Sequence, residues 1–367
     1  MLKSFLIQKD LILEKLNLAS RFLHSRFSSS LPPGVCFKVK KNKLNLLSSN
    51  LNSYYQGEVL LEKDLEGELD FVIEPKDVIE FINLLVGPKI NFLIDEKKVV
   101  IKDEKNQGVF QRINFEDYPF PEIKEIKKQK IDIKKWEKIL PQVLFSAATD
   151  ESRPVLTGVY FKTSEDNLEL VATDGFRLSL YYQKGETEIP SLIIPSYFLE
   201  EIIRIAKNKD VFFSYLPEEK MICFQIDKDY LCTQLIEGEF PPYERVIPKE
   251  IKTKVIIEKD ELLRNTKIIA VFARSFSNIV IFDIKKDVLI LKPKTKEEET
   301  TTRQDIISFD GEEQIVAFNF KFILDFLNHI EAKEIEINVF KPDAPAIFKA
   351  KDKSDYIHII MPVRMAE

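Results

Sequence analysis

Cysteine, histidine and glycine are scarce in this chain, and each shortage removes a class of chemistry. Three cysteines, Cys36, Cys223 and Cys232, stand in no CxxC spacing, which argues against a disulfide or zinc framework and for a reducing compartment. There are three histidines and ten glycines in 367 residues. No GxGxxG, P-loop, GxSxG or HExxH is present, so no common cofactor cradle or nucleophile elbow is written here. No apolar run approaches the ~18 residues that cross a bilayer. Lys3, Lys9, Asp10, Glu14 and Lys15 interrupt the start of the chain, against a secretory leader. The formal charge of −6 looks wrong for a nucleic-acid binder, although a net value hides the distribution.

What is present supports folded cores. Hydrophobic residues make up 44% and charged residues 31%, a globular balance. At ~100–200 residues per domain the length allows about two to four domains. A soluble, cytoplasmic, multidomain protein is the expectation.

A repeat organises the chain. Phe5-Leu6-Ile7-Gln8-Lys9-Asp10, Ile131-Asp132-Ile133-Lys134-Lys135-Trp136 and Val255-Ile256-Ile257-Glu258-Lys259-Asp260 each read as a short alternating strand entering a helix. Ile7, Ile133 and Ile257 are equivalent positions, about 125 residues apart, the size of one domain. A second helix recurs later in each copy. Val78, Ile79 and Ile82 match Phe198, Leu199 and Ile202, and these match Phe322, Ile323 and Phe326, a spacing that gives each helix one buried stripe. Pro75 and Pro195 suit a first helical turn, Asn319 suits an N-cap, and Pro141 predicts a kink or late start in the middle copy's first helix. Between helices the period becomes two, as in Ile90, Phe92, Ile94, in Ile222, Phe224, Ile226 and in Ile335, Ile337, Val339, the pattern of antiparallel strands. Three tandem α+β domains result, bounded near residues 1–124, 125–250 and 251–367.

The charge is uneven between helices and strands. Helices predicted over 8–26, 75–86, 134–150, 197–209, 259–274 and 320–333 sum to about +5, leaving about −11 for the remainder. Arg21, Arg26, Lys134, Lys138, Arg204, Lys207, Arg264, Lys267 and Arg274 supply the cations. No aromatic side chains interleave with them, so a nucleic-acid contact would reach phosphates without reading sequence. A solvated helix face explains the same lysines.

Three polar segments have the character of binding-site material. Leu156-Thr157-Gly158 leads to Thr173-Asp174-Gly175-Phe176-Arg177-Leu178. Glu239-Phe240-Pro241-Pro242-Tyr243-Glu244-Arg245-Val246 follows, and Ile359-Ile360-Met361-Pro362-Val363-Arg364 closes the chain. Singly, they read as a hairpin, a proline-stiffened linker and a last edge strand. As an ordered set on a threefold repeat, with Arg153-Pro154-Val155 ahead of the first, they resemble the bacterial DNA polymerase III beta subunit family, the replication sliding clamps. The resemblance covers essentially the whole chain. The first domain departs most: Ser28-Ser29-Ser30-Leu31-Pro32-Pro33-Gly34 follows the family's loop loosely, and Ser48-Ser49-Asn50-Leu51 replaces its Thr-Asp-Leu.

The resemblance implies three DNA-clamp domains, each with two helices packed on antiparallel sheets. It implies a head-to-tail homodimer closing a ring, with helices lining the hole around double-stranded DNA. It also implies a peptide-binding cleft between domains 2 and 3 for the replicative DNA polymerase, the clamp loader and repair proteins, with no cofactor, metal or membrane. Carried over position by position, the cleft is Leu156, Thr173, Gly175, Phe176, Arg177, Leu178, Pro241, Arg245, Val246, Ile360, Met361, Pro362, Val363 and Arg364. Leu156, Leu178, Val246, Ile360 and Val363 suit apolar pockets, and Met361 suits a site shared by many partners. Arg177, Arg245 and Arg364 suit peptide carbonyls or rim charge. Arg26, Arg153, Arg204, Lys207 and Arg274 are the DNA-contact candidates. Two other readings compete: a metal-dependent phosphoesterase using Asp150, Asp174 and Asp283, and a protein-only scaffold.

Overall fold

The computed structural model describes residues 3–23, 34–115, 118, 120–121, 129–165, 167–185, 189–294 and 300–365. Arg26 and most of the 28–34 loop lie outside the described residues. Among those described there are six α-helices: α1 (Lys9–Ser20), α2 (Pro75–Leu84), α3 (Ile133–Leu144), α4 (Ser196–Ile205), α5 (Lys259–Ala273) and α6 (Phe320–His329). The strand-into-helix opening recurs, with Lys3–Gln8 entering α1, Gln129–Ile131 entering α3 and Thr253–Glu258 entering α5; in the middle copy Ile133 already opens the helix, so Ile131 and not Ile133 stands in the place of Ile7 and Ile257.

The helix ends follow their caps. The Glu258 side chain accepts from the backbone N–H of Asp260 at 3.0 Å and of Glu261 at 2.5 Å, and the first-turn acids of α5 suit the positive end of its dipole. Asn319 accepts from Lys321 N at 3.0 Å and starts α6. Pro75 opens α2, whereas Pro195 ends the strand Leu192–Pro195 and Ser196 opens α4. Pro141 sits inside α3 without delaying its start. Every helix stops short of its predicted end, and with the observed bounds the six carry only about +1 together. Arg21 and Arg274 are C-cap residues and Lys207 follows α4. Basic residues gather just past the helix C-termini, where the dipole favours them.

The described pairings are all antiparallel, and the chain forms two compact units, residues 1–133 with 202–234 and residues 134–201 with 235–367. In the first, a four-stranded sheet runs in the order Lys3–Gln8, Lys89–Ile94, Lys98–Lys102, Gln107–Gln111. A six-stranded sheet runs Val35–Ser49, Ser53–Ile73, Asp229–Gln234, Met221–Ile226, Val211–Leu216, Gln129–Ile131. Ile12, Leu16, Val78 and Ile82 bury the helix stripes, and Phe5 stacks on Phe92 at 4.9 Å beneath them. Lys15 on α1 bonds both carboxylate oxygens of buried Asp229 at 2.7 Å.

One expectation is overturned in this unit. Cys223 and Cys232 form a disulfide, their Cα atoms 4.0 Å apart. They are direct partners across two strands whose innermost pair is Ile226 and Asp229. A two-residue turn therefore sets residues nine apart opposite each other, a relation that a search for CxxC spacing does not test.

In the second unit, nine strands run in the order Leu192–Pro195, Gly158–Thr163, Asn167–Thr173, Arg177–Lys184, Tyr356–Ile360, Ala346–Ala350, Glu334–Val339, Thr253–Glu258, Ser308–Gly311. A four-stranded sheet runs Thr302–Asp305, Val288–Pro293, Ile279–Ile284, Gln314–Asn319. Leu262 and Ile269 of α5, Ile323 and Phe326 of α6, and Phe282, Phe318 and Phe348 fill the core. The C-terminal strand Tyr356–Ile360 is interior, pairing with Arg177–Lys184 on one side and Ala346–Ala350 on the other. It is not the edge strand that its terminal position suggested. Each large sheet joins strands from two of the three sequence repeats, which is why the chain packs as two units.

Candidate functional site

The second unit brings the three polar segments together around an apolar groove of about 200 Å³. Its lining is Arg153, Leu156, Thr173, Gly175, Phe176, Arg177, Leu178, Pro241, Pro242, Tyr243, Val246, Ile359 and Met361. Each wall has a local cause. A 3-10 turn, Pro154–Thr157, presents Leu156, and Ala148 N holds the Leu156 carbonyl at 2.8 Å. The turn between the strands Asn167–Thr173 and Arg177–Lys184 is tied by Asp174, whose Oδ1 accepts from Phe176 N at 2.9 Å and Arg177 N at 3.0 Å. Gly175 there has φ +90, a conformation glycine adopts without a Cβ penalty. The third wall is the proline segment, which forms a 3-10 turn over Tyr243–Val246.

The C-terminal strand completes the groove. Met361 N donates to Phe176 O at 2.8 Å and Val363 N to Ala317 O at 2.8 Å, so the chain beyond Ile360 is pinned at both points. Side chains alternate along a strand: Ile359 and Met361 line the groove, whereas Ile360 is fully buried in the core on the opposite face. Ile360 is therefore a core residue and not a pocket wall. Arg245, Pro362, Val363 and Arg364 are also absent from the lining, while Pro242, Tyr243 and Ile359 belong to it without having been predicted. Period-two alternation from Met361 was the available signal for Ile359.

Arg177 lines the groove and also has a structural job. Its Nε meets Asp174 Oδ2 at 3.0 Å and its Nη1 meets Asp325 Oδ2 at 2.5 Å. Its guanidinium carbon lies 4.7 Å from the ring centre of Phe322 and 5.5 Å from that of Phe145. The side chain fixes the groove's floor to α6. Beneath it, Ser146, Ser179, Tyr356 and His358 form a buried network, with Ser179 Oγ 2.9 Å from His358 Nδ1. Burial, then the Arg177 charge, pushes the His358 imidazole well below its ordinary value. On the outer side, the Glu244 hydrogen bond holds the Lys162 ammonium above its usual range. The Tyr243 phenol is pushed far up by burial and the Glu169 carboxylate.

A second, more polar cavity of about 330 Å³ shares Arg153, Leu156, Phe176 and Arg177 with the groove and adds Ala147, Ala148, Thr149, Asp150, Ser152 and Asp174. Phe176, 65% exposed, stands between the two. The three carboxylates considered for metal catalysis are separately engaged: Asp150 with Ser152, Asp174 with Arg177 and Asp283 with Lys292. Among the described residues no group of His, Cys, Asp and Glu is placed to hold a metal.

Comparison with known proteins matches the chain along nearly its whole length. The DNA polymerase III beta subunit profiles match residues 3–123 as the N-terminal domain, 130–242 as the central domain and 244–364 as the C-terminal domain. The chain belongs to the DNA polymerase III beta subunit family, the bacterial sliding clamps. The beta sliding clamp of Staphylococcus epidermidis is 24% identical over 374 residues, covering 98% of this chain and 99% of its own. That of Buchnera aphidicola is 25% identical over 362 residues, covering 97% and 98%. The crystal structure of the Thermotoga maritima beta subunit superposes with a TM-score of 0.90 at 26% identity, covering 99% of this chain and all of that one. The family is one of non-catalytic processivity factors.

The DNA-contact candidates of this clamp chain fall in different places. Arg153 lines the groove and the cavity beside it. Arg204 is on the exposed side of α4, Lys207 is exposed after that helix, and Arg274 is exposed at the end of α5.

Proposed function

We propose that this chain acts as a ring-shaped processivity factor that encircles duplex DNA and recruits partners through the groove. The observation that carries the recruitment half is the groove itself. Leu156, Leu178, Val246, Ile359 and Met361 offer a pre-formed apolar slot, worth about 1.5–3 kcal/mol for each aliphatic or aromatic side chain buried in it. Partners would be the replicative polymerase, the clamp loader and repair proteins, each presenting a short peptide. The carried-over residues Arg245, Pro362, Val363 and Arg364 would then meet the peptide beyond the slot.

Ring closure as a head-to-tail homodimer is supported by two dissimilar exposed faces. In the first unit Leu84 and Val109 are exposed beside Phe81 and Phe110, whose rings meet at 5.6 Å. In the second, Ile268, Val271 and Phe272 are exposed along α5, and Phe276 in the turn just after it, away from the buried stripe Leu262, Ile269 and Ala273. Each face adjoins an outer sheet strand, Gln107–Gln111 in one case and Thr302–Asp305 in the other. An exposed edge beside an apolar face suits strand-to-strand joining of two copies, and unlike faces demand head-to-tail closure.

Within such a ring, Arg26, Arg153, Arg204, Lys207 and Arg274 would touch phosphates. Contacts of that kind weaken steeply with salt and permit sliding. The three clamp domains are taken as residues 1–124, 125–250 and 251–367, and the site of action as the cytoplasm.

The test is binding of a fluorescent peptide of the pattern Gln-Leu-x-Leu-Phe to the native chain, to Val246→Asp and to a variant ending at Ile360. Saturable binding by the native chain, weakened at least about tenfold in both variants, supports the groove. Equal binding by all three overturns it.

A further inference from the structure

The proline wall of the groove belongs to no strand, so something other than a sheet ladder must fix its position. Its polar anchorage comes from one cross-strand pair. Lys162 and Glu169 are direct partners between the strands Gly158–Thr163 and Asn167–Thr173. Tyr243 donates its hydroxyl proton to the Glu169 carboxylate. Lys162 Nζ donates to Tyr243 Oη at 3.1 Å and to Glu244 Oε1 at 2.7 Å, and lies 5.2 Å from the centre of the tyrosine ring. Neither Lys162 nor Glu169 lines the groove, but Tyr243 does, and so does Val246 three residues on. Residues three apart in a 3-10 turn lie one above the other, so a shift of the Tyr243 ring carries Val246 with it. The fixed φ of Pro241 and Pro242 restricts the backbone that leads into this turn.

We propose that the Lys162–Glu169 pair is a latch on Tyr243 that sets the position of the groove's proline wall, so that it controls partner-peptide affinity without touching the peptide. The proposal rests on the groove being the peptide site. A phenol donating to a carboxylate makes a charge-assisted bond, about twice as strong as a neutral one. Releasing it frees the wall while the apolar packing of Tyr243 against Leu178 and Ile359 still holds the ring in the fold. Glu169 and Lys162 are therefore positioning residues, separable from the residues that form the slot.

The same fluorescent peptide tests this on full-length Tyr243→Phe, Glu169→Leu and Glu169→Gln. Phe keeps the ring and loses the hydroxyl, Leu loses the acceptor, and Gln keeps an acceptor. The expected result is binding weakened about three- to tenfold in Tyr243→Phe and Glu169→Leu, through faster dissociation, with Glu169→Gln, which keeps a neutral acceptor, between native and Glu169→Leu. The double variant Tyr243→Phe/Glu169→Leu should bind no more weakly than either single one, because both open the same latch. A melting curve on each variant separates fold loss from wall movement. Native binding with unchanged affinity in Tyr243→Phe and Glu169→Leu overturns the latch alone. No binding by the native chain overturns the peptide-site reading and the latch with it.

Discussion

Nη1 of Arg177 lies 2.5 Å from Oδ2 of Asp325, a contact that spans 148 positions of sequence and ties the groove's floor to α6. The Arg177 side chain is 11% exposed, holds Asp174 at the same time and packs on Phe322. Arg177→Lys keeps the charge but not the fork that reaches two carboxylates. It is expected to lower unfolding free energy by about 2 kcal/mol, measured by urea denaturation. Asp325→Ala, which leaves Asp174 in place and removes a partner 42% exposed, should cost about 1 kcal/mol or less. Equal losses would contradict the assignment of Arg177 as the tie.

The buried imidazole of His358 predicts an acid-sensitive stability. It sits 5.2 Å from each of the rings of Phe145 and Phe326. Nδ1 meets Ser179, Nε2 has no hydrogen-bond partner among the described residues, and the charges bearing on it are Arg177 and His329. Its folded pKa lies below the ordinary 6.5, so as pH falls through that value the unfolded chain takes up a proton that the fold refuses. Its contribution is complete above about pH 6.5 and declines below it, by at most about 1.4 kcal/mol per pH unit. Relative to His358→Phe, the native chain should lose stability between pH 6.5 and 5. A difference that does not vary with pH would contradict this.

The two apolar faces predict a mutation that abolishes dimerisation without unfolding the chain. Phe272, 47% exposed on α5, tolerates a charge in the free chain, but Phe272→Asp would bury an unpaired carboxylate in a head-to-tail contact. Dimer dissociation is expected to rise about a hundredfold or more, read by sedimentation at low concentration, with the circular dichroism melt unchanged. Val109→Asp on the first unit's apolar face should do the same.

The disulfide predicts a redox-dependent stability confined to one hairpin. Closing a loop of about ten residues is worth roughly 2.5 kcal/mol in the chain-entropy model. Reduction should lower the melting temperature of the native chain and leave Cys232→Ala unaffected. Identical shifts in the two would contradict it.

Much of this architecture was legible in residue spacing. The strand-into-helix openings at Ile7, Ile133 and Ile257 and the stripes of the second helices locate all six helices, because burial of one face imposes its period on the sequence. The ends of those helices were not legible: Arg21, Lys207 and Arg274 continue a helix-compatible pattern past the point where the backbone leaves it. Strand partners were equally hidden, since alternation marks which face is buried and not which strand lies alongside. That is why Cys223 opposite Cys232 and the interior place of Tyr356–Ile360 emerged only in three dimensions. The segments that form the groove were identified as polar, punctuated stretches carrying a family resemblance. The exchange of Ile360 for Ile359, and the engagement of Arg177 by Asp325, depend on which way a side chain leaves the sheet and on a helix that sequence does not place nearby.

A ring held on DNA by closure alone leaves only through a break in the ring or an end of the DNA. Fluorescently labelled native chain, placed on a nicked circular plasmid by a bacterial clamp loader and freed of unbound protein by gel filtration, is followed before and after a single restriction cut. The expected result is retention on the circle at high salt, prompt loss when the ends are opened, and no retention for Phe272→Asp. Retention that survives linearisation, or loss from the intact circle at the same rate, would contradict a ring held on DNA by its closure.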